Sequence, residues 1–141
     1  RECGAVNRVP STRLGEGPLC GKCRKPLLSG RPVLAGDGDF ARLVEKTDLP
    51  VVVDFWAPWC APCRQFAPVF EQTAGQMATR ASFVKLDTQD NPRTAARYRI
   101  RSIPTLMIFH RGREVARLSG ALPQARFQQW LNEQLAGLQA A

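Results

Sequence analysis

The sequence has no apolar run long enough to cross a membrane. Its longest apolar stretch, residues 51–59, is interrupted by Asp54 and Pro58, whereas a membrane-spanning helix needs about 20 consecutive apolar residues. The first residues are polar and lack the apolar core of a secretory signal. We therefore expect no membrane partner, and the lack of a signal favours a cytoplasmic location.

Histidine is also scarce. The only histidine, His110, lies far along the chain from all five cysteines, so we interpret it as a surface residue and not as a metal ligand. The net charge is +8, but the basic residues are scattered and are not interleaved with aromatic side chains that could stack on bases. This pattern favours a solubilising surface, and we expect no nucleic-acid partner.

The chain divides into two segments of different composition. Residues 1–32 are rich in glycine, proline and arginine and have too few apolar residues for a core of their own, so something else must hold them together. Residues 33–141 have the length of one compact domain. We predict a domain boundary between residues 32 and 33.

Apolar periodicity in the second segment predicts alternating strands and helices. The predicted strands are 33–35, 51–55, 81–86, 105–109 and 114–118, and the predicted helices begin near residues 40, 61, 91 and 123. Such alternation is typical of an α/β fold, a mostly parallel sheet covered by helices on both faces. Arg111-Gly112, between the last two strands, predicts a terminal antiparallel hairpin.

Cys60 and Cys63 lie where a buried strand is followed by a helix. The positive end of a helix stabilises a thiolate, which is the reactive form of cysteine. A cysteine three residues further on lies within reach, so the pair can cycle between dithiol and disulfide. A structural zinc pair is the alternative, but no second pair of ligands lies near this junction, which favours redox chemistry.

Three motifs of the second segment resemble the thioredoxin family. Residues 54–63 (DFWAPWCAPC) resemble its active-site segment, residues 103–105 its cis-proline loop, and residues 109–112 its hairpin turn. The similarity covers about residues 33–138 and implies a thioredoxin fold, a central mixed sheet flanked by helices. One departure is Ala61, where thioredoxins usually have glycine; the extra methyl group could alter the reduction potential or the fit of partners.

The resemblance implies a role for each catalytic residue. Cys60 attacks a substrate disulfide, and Cys63 then resolves the mixed disulfide. Asp54 resembles the buried acid of the family, whose raised pKa makes it a proton acceptor for Cys63. Lys85 resembles the charged neighbour of that acid. A carboxylate that only ends a strand, and a solvated strand lysine, are the structural alternatives for these two residues.

The same resemblance implies a substrate-docking surface. It consists of Trp59, Ile103, Pro104 and Gly120, and the peptide bond before Pro104 is expected to be cis. An extended substrate would add to the Ile103 backbone like a short strand.

Cys3, Cys20 and Cys23 form the second group of cysteines. Cys20-Gly21-Lys22-Cys23 has the tight turn of a zinc knuckle, and a ribbon would need one more cysteine three positions before Cys3. We therefore expect that the natural chain begins before Arg1 and supplies that ligand. The segment resembles the zinc-ribbon-like extension of the thioredoxin 2 group, which implies structural zinc. A tail with incidental thiols is the alternative.

These observations predict a protein-disulfide reductase. The resemblance implies thioredoxin reductase and protein disulfides as partners and no organic cofactor, and we expect a monomer. An oxidase or isomerase on the same fold is one alternative, although Ala-Pro between the cysteines is closer to the Gly-Pro of thioredoxins. The other is a binding module in which the zinc segment recruits a partner, but an intact cysteine pair argues against a pure scaffold.

Overall fold

The computed structural model describes residues 31–140, a five-stranded sheet with four helices. The strands are β1 (Val33–Ala35), β2 (Val51–Trp56), β3 (Ser82–Asp87), β4 (Thr105–His110) and β5 (Arg113–Ser119). The helices are α1 (Phe40–Glu45), α2 (Ala61–Gln76), α3 (Pro92–Arg97) and α4 (Gln124–Ala140). Each predicted element is present in the predicted order, with bounds that differ by a few residues.

The sheet has the strand order β1-β3-β2-β4-β5 and is mixed. The strands β1, β3 and β2 are parallel, whereas β4 is antiparallel to both β2 and β5. The structure thus confirms the mixed sheet that the thioredoxin resemblance implies, whereas the mostly parallel sheet expected from the alternation of strands and helices is wrong for β4. Phe55 pairs with both Leu86 and Thr105, so the first residue of β4 lies level with the end of β3. Because α3 has six residues and rises only about 9 Å, it does not carry the chain back along a strand of about 20 Å.

Both faces of the sheet are covered, as predicted. On one face, the apolar sides of α2 and α4 pack against alternate residues of the central strands. Its buried helix residues are Phe66, Phe70, Ala74, Met77, Phe127, Leu131 and Leu135. On the other face, α1 packs with Phe40, Leu43 and Val44 against the remaining strand residues. Strands β2, β3 and β4 are buried on both faces, which explains their continuous apolar runs.

The hairpin between β4 and β5 has a two-residue turn. Arg111 and Gly112 both have positive φ angles, 55° and 82°, as a type I′ turn requires. The register then shifts between Ile108 and Phe109, because Ile108 pairs with Ala116 and Phe109 with Glu114. Val115 is the extra residue in this bulge.

The segment predicted to bind zinc, with Cys3, Cys20 and Cys23, lies outside the described residues. Among residues 31–140, no helix has the length and apolar character needed to cross a membrane. The same residues contain no cluster of three or more cysteine, histidine or acidic side chains placed to bind a metal ion.

Candidate active site

Cys60 is the residue that caps the N-terminus of α2. Its backbone is extended, with φ −87° and ψ 110°, and its sulfur accepts a hydrogen bond from the Cys63 backbone N–H at 3.2 Å. The two cysteines form a disulfide, with their Cα atoms 5.2 Å apart. Helix N-termini carry unpaired N–H groups and a partial positive charge, so this position also favours a Cys60 thiolate when the pair is reduced.

Both cysteines are buried, Cys63 slightly more completely than Cys60. Cys60 is 5% exposed and Cys63 is 1% exposed, while Trp59 beside them is 67% exposed. Cys63 shares a side of α2 with Phe66 and Phe70, three and seven residues further on, and that side packs on the sheet. Cys63 is therefore directed towards the protein interior, whereas Cys60 lies at the helix N-terminus next to the exposed Trp59.

The loop that leads from β2 to Cys60 is held by two contacts that the sequence did not predict. Thr88 donates hydrogen bonds from its backbone N–H and from its hydroxyl to the Trp56 carbonyl, at 2.8 and 3.1 Å. Arg64 Nη1 donates to the Pro58 carbonyl at 2.7 Å. A basic residue in the first turn of a helix is unfavourable, because it opposes the helix dipole. This unfavourable position is the sequence signal from which a specific contact of Arg64 could have been predicted.

Folding brings the predicted docking residues to Cys60 from distant parts of the chain. The Ile103 carbonyl oxygen lies 3.7 Å from Cys60 Sγ, although 43 residues separate them in sequence. The Ile103–Pro104 peptide bond is cis, as expected. Gly120 has a φ of +109°, and its N–H donates to the Pro104 carbonyl at 2.9 Å. Ile103 is half-buried and Pro104 is buried, so Trp59 supplies most of the exposed apolar surface.

Asp54, the predicted buried acid, is fully buried. It lies in the middle of β2 with Lys85 as its register partner on β3 and Leu106 on β4. Neither carboxylate oxygen has a hydrogen-bond partner among the described residues. Burial raises the pKa of Asp54 to about 7, and the positive charge of Lys85 lowers it only in part. The carboxyl group can therefore hold or release a proton near neutral pH.

Lys85 is buried as well, which excludes the alternative of a solvated strand residue. It is 9% exposed, and its Nζ lies 4.5 Å from the centre of the Trp56 ring. Such a cation–π contact partly replaces the water that the ammonium group has lost. Alternate residues of a strand share a face, so Asp54, Trp56 and Lys85 lie on the face that α2 and α4 cover.

Two family models match the chain. The model described as Thioredoxin matches residues 32–133, and the model described as Thioredoxin 2, N-terminal, matches residues 1–25. The first match contains both cysteines of the disulfide, and the second contains Cys3, Cys20 and Cys23. The two matches do not overlap, since one ends at residue 25 and the other begins at residue 32.

Individual relatives show the same similarity. Thioredoxin C-3 of Corynebacterium nephridii is 46% identical over 133 residues, covering 94% of this chain and 91% of the relative. Thioredoxin 1 of Nostoc sp. is 48% identical over 99 residues, covering 70% of this chain and 92% of the relative. The thioredoxin of Porphyra purpurea is 48% identical over 97 residues, covering 69% and 91%.

Proposed function

Because this chain belongs to the thioredoxin family and exchanges disulfides as a protein-disulfide reductase through Cys60 and Cys63, we propose that Asp54 takes and returns the proton of Cys63. The observation that carries this proposal is a buried carboxyl group without a hydrogen-bond partner within residues 31–140, on the face of the sheet that the Cys63 side of α2 covers.

The reaction begins with the reduced pair. The Cys60 thiolate attacks one sulfur of a substrate disulfide, which forms a mixed disulfide and releases the first substrate thiolate. Cys63 loses its proton, attacks Cys60 Sγ and releases the second substrate thiolate. The two electrons now reside on the substrate, and the protein holds the Cys60–Cys63 disulfide that the structure contains.

Because Cys63 is buried, its ionisation needs a base. A thiol that is 1% exposed pays a desolvation cost on ionisation, so its proton must go to a nearby group. Asp54 ionises near pH 7, which lets it accept a proton at neutral pH and return it when the pair is reduced again. Lys85 acts through Asp54: its charge favours the carboxylate form.

The docking surface of Trp59, Ile103, Pro104 and Gly120 would position the substrate. Trp59 offers an exposed apolar ring beside Cys60, and the Ile103 carbonyl already contacts the Cys60 sulfur. The Gly120 N–H is used by Pro104, so Gly120 supports the cis-proline loop. A methyl group at Gly120 would meet no atom within 4 Å, but its φ of +109° disfavours any side chain.

The test of the Asp54 role is a single-turnover experiment that separates the two chemical steps. Asp54→Asn leaves attack by Cys60 almost unchanged and slows release of the mixed disulfide by about 10²-fold or more, the usual contribution of a general base. Glu71→Gln, on the exposed side of α2, is the matched control and changes neither step. Equal slowing of both steps by Asp54→Asn would contradict the assignment.

The direction of electron flow is tested by the reduction potential of the Cys60–Cys63 pair. The reduction potential of thioredoxin is about −270 mV, and that of the oxidant DsbA is about −120 mV. A value near the first would support a reductant, and a value near the second would support the oxidase alternative. As a reductant in the cytoplasm, the protein receives electrons from thioredoxin reductase and passes them to protein disulfides as a monomer.

For the N-terminal segment, we propose a separate zinc-binding domain of residues 1–32. Cys3, Cys20 and Cys23 supply three thiolates, the ligands that structural zinc prefers, and the family match over residues 1–25 supports this assignment. When bound, zinc would link parts of a segment that has few apolar residues.

Zinc binding is tested by metal analysis of the purified chain. Cys23→Ser should lower the zinc content well below that of the unmodified chain, whereas Cys63→Ser, the matched change in the other cysteine pair, should leave it unchanged. A zinc content that is negligible in the unmodified chain, or unaffected by Cys23→Ser, would contradict the proposal.

A further inference from the structure

Asp54 and Lys85 are the two charged side chains that are buried in the described part of the chain. They are register partners on β2 and β3, and neighbouring strands lie about 5 Å apart. Buried charges are normally paired, because an isolated charge loses its hydration without compensation. These two do not form such a pair, since neither oxygen of Asp54 has a hydrogen-bond partner among residues 31–140. The lysine therefore has the partner of opposite charge within reach and does not bind it.

The ammonium group of Lys85 contacts the Trp56 ring instead. Its Nζ lies 4.5 Å from the centre of the ring. Trp56 follows Asp54 by two residues on β2, so its side chain is on the same face, about 7 Å further along the strand. The face of an indole ring carries partial negative charge and is the best aromatic partner for a cation. The ring thus competes with the carboxylate for the ammonium group.

The backbone around Trp56 fixes the position of its ring. Trp56 is the last residue of β2 and pairs with Asp87 at the end of β3. Its carbonyl accepts two hydrogen bonds from Thr88, at 2.8 and 3.1 Å. The ring is partly buried, and the contact directs the lysine side chain towards the ends of the strands, away from the middle of β2 where Asp54 lies. A lysine can extend in this way because its stem is long and flexible.

We propose that Trp56 is a positioning residue that holds the Lys85 ammonium group away from Asp54 and so leaves the carboxylate unpaired. At this separation the charge of Lys85 still favours the carboxylate form of Asp54, but less strongly than a direct ion pair would. An ion-paired aspartate would hold a proton too weakly to serve as a base near neutral pH. The benefit to catalysis rests on the proton transfer proposed for Asp54, whereas the effect of Trp56 on Lys85 does not.

The other elements on this face add one buried titratable group, the Cys63 thiol of α2. The side chains that β4 and α4 bury there are apolar: Leu106, Ile108, Phe127, Leu131 and Leu135. In the oxidised protein the Cys63 sulfur belongs to the disulfide and does not titrate. The oxidised form therefore isolates the effect of Lys85 and Trp56 on Asp54.

The first test measures the pKa of Asp54 by carbon-13 NMR in the oxidised full chain. Trp56→Leu should free Lys85 to pair with Asp54 and lower that pKa by about 1 or more. Trp56→Phe keeps an aromatic face and should restore most of the original value. Trp130→Leu, the same replacement at a partly buried tryptophan on the same face, is the matched control and should change nothing. A pKa that Trp56→Leu leaves unchanged, or that Trp56→Phe lowers equally, would overturn the proposal.

A double variant separates this effect from the entry of water. Loss of the ring would also lower the pKa of Asp54 if water then reached the carboxyl group, and that route does not need Lys85. In a chain that carries Lys85→Met, Trp56→Leu should therefore leave the pKa of Asp54 where Lys85→Met alone places it. A fall of the same size with and without Lys85 would show that Trp56 only excludes water, and would overturn the proposal.

Proton NMR of the unmodified chain tests the contact without any variant. The Lys85 Cε protons should be shifted upfield by the Trp56 ring and should show nuclear Overhauser contacts to it; ordinary shifts without such contacts would overturn the proposal. Release of the mixed disulfide then tests the benefit to catalysis. If Asp54 is the base, the pH midpoint of release in Trp56→Leu follows the lowered pKa. A lowered pKa with an unchanged midpoint would support the position proposed for Lys85 and contradict the role of Asp54.

Discussion

The two faces of the sheet make different use of burial. On the α1 face, Phe40, Phe55, Tyr98 and Phe109 form a cluster of ring contacts with centroids 5.2–6.4 Å apart. The α2 face holds Asp54 and Lys85, and α2 itself contributes Thr73. The buried side-chain atoms that lack a hydrogen-bond partner among the described residues are both Asp54 oxygens and Thr73 Oγ1. Both faces have an apolar core with clustered aromatic rings, but among the described residues only the α2 face also buries charged side chains, Asp54 and Lys85.

The largest effect is expected on the α1 face. Phe109→Ala removes a fully buried ring that contacts Phe40 and Tyr98, so we expect the free energy of unfolding to fall by about 3–5 kcal/mol. Urea denaturation measures this fall. The reduction potential of the cysteine pair should stay unchanged while the protein is folded. A loss below about 1 kcal/mol would show that this ring cluster contributes little to stability.

On the α2 face, Asp54→Asn should raise the free energy of unfolding, whereas Phe109→Ala lowers it. The folded pKa of Asp54, about 7, is above the unfolded value of 3.8, so its contribution to stability is fully present below pH 3.8 and is lost as the pH rises through 7. The loss approaches about 4 kcal/mol at 1.36 kcal/mol per pKa unit. Asparagine has no charge to lose or gain, so the variant avoids this loss. The difference in the free energy of unfolding between the variant and the unmodified chain should grow from pH 4 to 7 and stay constant above pH 7.

Denaturation curves from pH 4 to 9 test this sign. The matched control is Asp48→Asn, an exposed carboxylate in the loop before β2, whose effect should vary little with pH. If the advantage of Asp54→Asn did not grow between pH 4 and 7, Asp54 would have an ordinary pKa in the folded protein.

A smaller gain is expected from Thr73→Val. Valine has nearly the same shape but lacks the hydroxyl group, which Thr73 buries with no partner in the described part of the chain. Since an unsatisfied buried hydroxyl costs about 1–3 kcal/mol, the free energy of unfolding should rise by about 1 kcal/mol at every pH. Thr94→Val is the informative contrast, because its hydroxyl donates to Asp37 at 2.7 Å, and this change should destabilise. A gain from both variants would mean that hydrogen bonding does not distinguish the two sites.

The smallest effect concerns Lys85. Lys85→Met keeps the length of the side chain and removes the charge that lowers the pKa of Asp54, so that pKa should rise further. Carbon-13 NMR of the Asp54 carboxyl group measures the change. Lys46→Met, at the exposed end of α1, should leave the titration as it was. A fall in the Asp54 pKa on loss of Lys85 would contradict the electrostatic role.

Much of the site was predictable because it is local in sequence. Cys60, Cys63 and the start of α2 lie within one turn of helix, and the strand before them is a run of apolar residues broken only by Asp54. The burial of Asp54 followed from its place in that run. The contact of Thr88 with the Trp56 carbonyl could not be predicted, since it joins two strand ends that are separate in sequence.

By itself, the sequence determined the order of strands and helices, the apolar stripes of α2 and α4, and the position of a cysteine pair at a helix N-terminus. Periodicity and capping operate over a few residues, so the printed sequence is enough to predict them. Only the tertiary structure decided the direction of β4, the approach of Ile103 to Cys60 and the absence of a hydrogen-bond partner for Asp54 among residues 31–140. Each of these depends on contacts between segments far apart in the chain, and only the complete packing of the sheet establishes such contacts.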